Sequence, residues 1–235
     1  MRIPSPGSRN KGVLLKTKST LFTAALPILA LLSVGLAAPA QAASPQSPTP
    51  SELDRVRATM TSVGIDSSTQ DSLIGKLEAH QPLDSMTGAT PVRTYTEELA
   101  TSTRTIKVFA DGSRSWVDLE RAPEAGVLTR SAMTNCATSG AWKVNCRIDI
   151  SDLVSSAWFV IDYKAVAPAQ LRDFRGKGCQ ILGGTCNVNG KIERATQNSA
   201  GPAWAYLNYN VSTWTWIGAS GQFGIRVSNG GVSTY

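Results

Sequence analysis

Hydrophobic and polar positions pass through three rhythms along this 235-residue chain. The first stretch has no amphipathic period. Leu21 to Leu36 form one apolar run behind a basic head of Arg2, Arg9, Lys11, Lys16 and Lys18, and Ala40-Gln41-Ala42 supplies small residues on either side of a spacer. That order is the pattern of a secretion signal, residues 1–42, cut between Ala42 and Ala43. The run is shorter than the about 20 residues a membrane-spanning helix needs. Residues 43–50, ASPQSPTP, then read as a disordered Pro/Ser linker.

The second rhythm is helical. Leu53, Val56, Met60 and Val63 recur at three- and four-residue steps, as do Leu73, Ile74 and Leu77. Thr49-Pro50-Ser51-Glu52 fits a capping box with proline at the first helical position, and Ser67-Ser68-Thr69-Gln70 fits a second one. Gly64 and Pro82 end the two segments. The expectation is a helical hairpin over 51–82. It lacks the basic recognition face that a DNA-reading pair of helices needs.

From Pro91 onward the period drops to two. Val, Ile, Thr and aromatic residues alternate with polar ones, and Gly, Asn or Asp punctuate. Thr105–Ala110, Asp111-Gly112 and Arg114–Glu120 make a hairpin; Trp142–Ile150, Ser156–Val166, Ala203–Val211, Thr213–Ile217 and Gln222–Ser228 are further strands. Asn189-Gly190 and Gly218–Gly221 read as turns. The fold expected is mainly β, an antiparallel β-sandwich or barrel over 91–235 behind a short two-helix segment.

Charge alters the picture once the signal is set apart. Five of the 23 Lys and Arg lie in the basic head, and the rest nearly balance the 17 Asp and Glu. The basic balance of the whole chain therefore belongs to the signal, and no nucleic-acid partner is implied. Four cysteines, at 136, 146, 179 and 186, suit two disulfides in an exported chain. Three pairings are possible. The local one, Cys136–Cys146 with Cys179–Cys186, is favoured because a turn at Ile181–Gly184 would set Cys179 opposite Cys186. A zinc site is the other reading, but the spacings lack the short pairs zinc uses. No metal, cofactor or stable membrane insertion is expected.

Candidate chemistry is sparse. His80 is the single histidine and sits at a helix end, where capping is its ordinary role. With the cysteines oxidised, nucleophilic catalysis would need that one imidazole. Asp149, Asp152 and Asp162 could supply a carboxylate pair, or serve turns and solubility. Residues 172–178, RDFRGKG, read as a basic, mobile loop. The most distinctive stretch is AWAYLNYNVSTWTWIG, 203–218. In one strand register Ala203, Ala205, Leu207, Tyr209, Val211 and Ile217 share a face, and Trp204, Tyr206, Asn208, Asn210, Trp214 and Trp216 share the other. The second face is either core packing or a sugar platform, with Trp204, Tyr206, Asn208, Trp214 and Trp216 as ligand contacts. A break near Asn210–Thr213 would reset which rings point outward.

Taken together, LEAHQPLDSMTGATPV, FADGSRSW, SSAWFVIDYKAV, ATQNSAGPAWAYLNYNV and GIRVSNGGVSTY resemble a group of secreted, β-rich actinobacterial proteins with no established activity. The resemblance implies export and a β-rich domain behind a helical leader, and it transfers no site residues. The functional expectation is a secreted, non-catalytic protein that binds extracellular glycan, such as cell-wall or environmental polysaccharide. A small carboxylate-dependent hydrolase, and an inhibitor or protein-interaction factor working through a bridged loop at Cys179–Cys186, are the alternatives.

Overall fold

The computed structural model describes residues 46–122, 136–214 and 217–235. The expected signal and cleavage site, and Trp216, lie outside them. Two helices come first, α1 (Pro50–Ser62) and α2 (Ser67–Glu78). The Thr49 amide and hydroxyl both donate to Glu52 Oε2 at 2.8 Å, so the first capping box forms as the sequence indicates. The second helix is capped one residue earlier than expected. Asp66, not Ser67, is the N-cap and accepts from the Thr69 amide. A carboxylate there also meets the positive end of the helix dipole. Residues 46–49 are not free of the fold, because the Gln46 amide donates to the Trp214 carbonyl at 3.2 Å.

Among the described residues eleven strands follow. β1 (Arg93–Glu98), β2 (Ser102–Val108), β3 (Arg114–Glu120), β4 (Ala137–Ser139), β5 (Trp142–Ser151), β6 (Ser155–Lys164) and β7 (Gln170–Ile181) form one antiparallel sheet in the order β1-β2-β3-β5-β6-β7, with β4 on β5. β8 (Gly184–Arg194), β9 (Ala203–Thr213), β10 (Ile217–Ser228) and β11 (Gly231–Thr234) form the second, in the order β11-β10-β9-β8. Neither sheet closes on itself, so the fold is a sandwich and not a barrel. The chain crosses between sheets at the tight turn joining β7 to β8.

Alternation on β9 decides what is core. Ala203, Ala205 and Leu207 are fully buried and face Phe159, Ile161 and Leu171 of the large sheet, with Phe223, Ile225 and Val227 beside them on β10. Phe159 anchors this layer, 4.8 Å from the Phe174 ring and 5.5 Å from Phe223. Burying each such ring is worth about 2–3 kcal/mol.

A second core closes one end of the sandwich. Val56, Met60, Leu73, Ile74 and Leu77 of the helices pack on Ile106 and Trp116, on Leu153 and Val154 of the β5–β6 turn, and on Trp214 and Ile217 of the β9–β10 turn. Polar ties fix this cap to the β2–β3 hairpin. Lys76 Nζ lies 2.9 Å from Asp111, the Asp84 amide donates to the same carboxylate at 3.0 Å, and the Arg114 guanidinium donates to the Val63 and Gly64 carbonyls.

Two expected turns and one expected loop move. Asn189-Gly190 lies inside β8, where Gly190 admits the Phe174 ring. Gly218–Gly221 lies inside β10, which pairs with β9 from Ile217 opposite Thr213 onward. Gly221 supplies the floor under Tyr209, whose hydroxyl oxygen would stand 2.4 Å from an added Cβ. Residues 172–178 are not a loop but part of β7. Register shifts against β6, with Asp173 and Gly176 at positive φ, give them their irregular look in sequence.

Candidate functional site

Both disulfides form as the local pairing predicts, Cys136–Cys146 and Cys179–Cys186. The first joins the residue before β4 to β5 and is buried in the main core. The second staples the corner where the chain changes sheets. Its turn does not protrude. The Leu182 amide donates to the Val154 carbonyl at 3.1 Å, the Trp214 amide donates to the Gly183 carbonyl at 3.0 Å, and Thr213 Oγ1 donates to the Leu182 carbonyl. A bridged loop projecting toward a protein target is therefore not what this segment builds.

The three aspartates go separate ways. Asp152 closes the β5–β6 turn, accepting from the Val154 and Ser155 amides at 2.8 and 2.7 Å and from the Ser155 hydroxyl at 2.8 Å. Burial pushes its carboxyl upward against those three donors. Asp149 lies on the outer face of the large sheet, paired with Arg147 at 2.6 Å. Asp162 sits on that same face four residues beyond the partner of Asp149, about 13 Å along the strand. Burial pushes Asp162 up, but Arg175 at 2.7 Å, the Asn145 amide and Arg172 outweigh it, and the carboxyl is held below its usual range. Each carboxylate is committed to its own neighbours, and the three do not converge on a cleft. His80 Nε2 meets the Ser47 hydroxyl at 3.0 Å, next to the start of α1.

A cleft of about 250 Å³ opens at the flank between the sheets, lined by Asp152, Tyr209, Ser155, Gln222 and the loop after α2. Burial, with the Asp152 field added, raises the Tyr209 phenol above its ordinary value. Both oxygens of Asp152 are already engaged in the turn.

The outer face of the small sheet is different in kind. Trp204, Tyr206 and Asn208 lie together on it as the alternation predicts, each half-buried. The Trp204 and Tyr206 rings are 5.4 Å apart and tilted by 32°. Antiparallel register extends the face sideways. Arg194 and Arg226 flank Trp204, Lys191 and Gly224 flank Tyr206, Asn189 and Gln222 flank Asn208, and Asn187 and Ser220 flank Asn210. Gln222 Nε2 donates to Asn208 Oδ1 at 2.9 Å. Tyr235 was not among the sequence candidates. Its ring lies across Gly224, where an added Cβ would meet the phenol oxygen at 2.7 Å, and the Arg226 guanidinium sits 4.5 Å from its centroid. Only register could have recruited it, since Tyr235 stands beside the glycine that faces Tyr206.

Trp214 does not join this face. It is fully buried in the second core, and its indole Nε1 donates to Glu52 Oε2 at 3.3 Å. The strand ends at Thr213 and Trp214 takes a φ of 48°, so the alternation that put it beside Trp204 is broken one residue earlier. Trp216 lies outside the described residues.

The face can therefore do three things chemically. Its rings can cover apolar faces of a ligand, its row of amides can exchange hydrogen bonds with hydroxyls, and its cations can meet anions. The chain matches no family model, no curated protein and no solved structure. The two disulfides fit an extracellular protein, and among the described residues no helix is long and apolar enough to cross a membrane.

Proposed function

We propose that this is a secreted, non-catalytic glycan-binding protein whose binding surface is the outer face of the small sheet, of the secreted β-rich kind its sequence resembles. One observation carries the reading. Half-exposed Trp204 and Tyr206 stand in line with Asn208, and a layer of amides on three adjacent strands continues the same surface. Side chains on one strand face recur about every 7 Å. An extended polymer can lie along such a surface without a pocket, its pyranose faces against the rings and its hydroxyls against Asn187, Asn189, Asn208 and Gln222. The signal at 1–42 and the oxidised cysteines support export.

The test is retention on insoluble glycans and isolated cell walls, read together with tryptophan fluorescence. The wild-type chain is retained and its emission shifts, whereas Trp204→Ala loses roughly tenfold or more in affinity with little change in Tm. A protein that no glycan retains, with unchanged emission, would sink the proposal.

A further inference from the structure

Charge on this face points to one class of polysaccharide. Register places Arg194 and Arg226 on either side of Trp204, and Lys191 beside Tyr206. The neighbouring carboxylate is Glu193, 2.7 Å from Lys191 Nζ and thereby taken up. Arg194 gives one nitrogen to the Pro202 carbonyl at 3.0 Å and has no carboxylate partner among the described residues. Arg226 is exposed, likewise lacks one, and lies against the Tyr235 ring at 4.5 Å. The ring end of the face thus carries two uncompensated guanidinium groups. The amide end, from Asn187 to Ser220, carries no charge.

We infer that the ligand is a polyuronide, a chain of pyranose sugars bearing carboxylates. This rests on the glycan-binding reading above. A guanidinium presents a planar fork of donors that matches a carboxylate with two parallel hydrogen bonds, and stacking on Tyr235 holds that of Arg226 in place. A phosphate polymer would satisfy the charges equally well. It would leave Trp204 and Tyr206 without an apolar sugar face to cover, and for that reason the carboxylated pyranose is the better match.

The experiment compares four soluble probes against the exported full-chain product: polygalacturonate, its methyl ester, a neutral cellulose oligomer and poly(glycerol phosphate). Methyl esterification keeps the sugar ring and removes the charge. Binding to polygalacturonate is expected to exceed binding to the ester by roughly tenfold, and to weaken between about 0.02 M and about 0.3 M NaCl. Arg226→Gln should erase most of that difference between acid and ester, with near-UV circular dichroism confirming the fold. Equal binding of ester and acid overturns the charge inference and leaves the glycan reading standing. Poly(glycerol phosphate) bound as tightly as polygalacturonate overturns it too, since the rings would then contribute nothing. Failure of all four probes removes both.

Discussion

Gly183 has a φ of +59°, and a Cβ placed on it would lie 2.3 Å from the Trp214 indole nitrogen and 2.8 Å from Glu52 Oε1. Two independent reasons therefore demand glycine. The left-handed backbone disfavours any side chain, and the indole occupies the space one would need. Gly183→Ala should lower stability by about 2–4 kcal/mol, as strain and overpacking act together. Chemical denaturation of the purified protein checks this, and glycan retention of the folded fraction should not change, since Trp214 lies away from the binding face. The residue scale also shows how one side chain can be misread. Trp214 and Trp204 look alike in a strand pattern, yet one is a plug and the other a surface ring.

Among elements, the β7–β8 hairpin has the most to do. It carries the chain from one sheet to the other, and Cys179–Cys186 closes its seven-residue separation. Restricting so short a loop in the unfolded chain is worth about 2–3 kcal/mol. Replacing both cysteines with serine should lower stability by that amount, read as a shift of the denaturation midpoint with an unchanged slope. The pairing was legible in sequence because turn residues lie between the cysteines. The alternation of β9 was legible too, and with it the core face and the outer face that carries Trp204, Tyr206 and Asn208. Other features were not. Gly190 and Gly221 signalled turns, but they serve close contacts inside strands, which depend on partners elsewhere in the sequence. The bulges of β7 hid a strand within RDFRGKG. Tyr235 joined the outer face of the small sheet through cross-strand register, which a single strand's pattern does not contain.

At the scale of the molecule, two cores share one set of strands, and the polar joint between cap and sheet is Lys76–Asp111–Asp84. Burial pushes the Asp111 carboxyl up, but hydrogen bonds from Lys76, Ser113 and the Asp84 amide outweigh it and hold it below the ordinary range. A carboxyl depressed in the folded state adds stability that is present above its unfolded value, near pH 4, and lost as pH falls through the folded one. Asp162 has the same sign. Melting temperature should therefore fall steeply below about pH 4, and Asp111→Asn should flatten that fall by removing one proton-linked group. A Tm independent of pH from 5 down to about 2 would contradict the arrangement.

The indole of Trp214 and the carboxylate of Glu52 are 162 positions apart, and their contact joins the first helix to the reversal between the ninth and tenth strands. A nascent chain emerges from its amino end, so the helical pair cannot close over Trp214 until nearly the whole polypeptide has appeared. Contacts this distant slow the search for the native arrangement. Half-made copies should thus be the chaperone-dependent species, and completion of the last hairpins is the moment at which the protein becomes safe from aggregation.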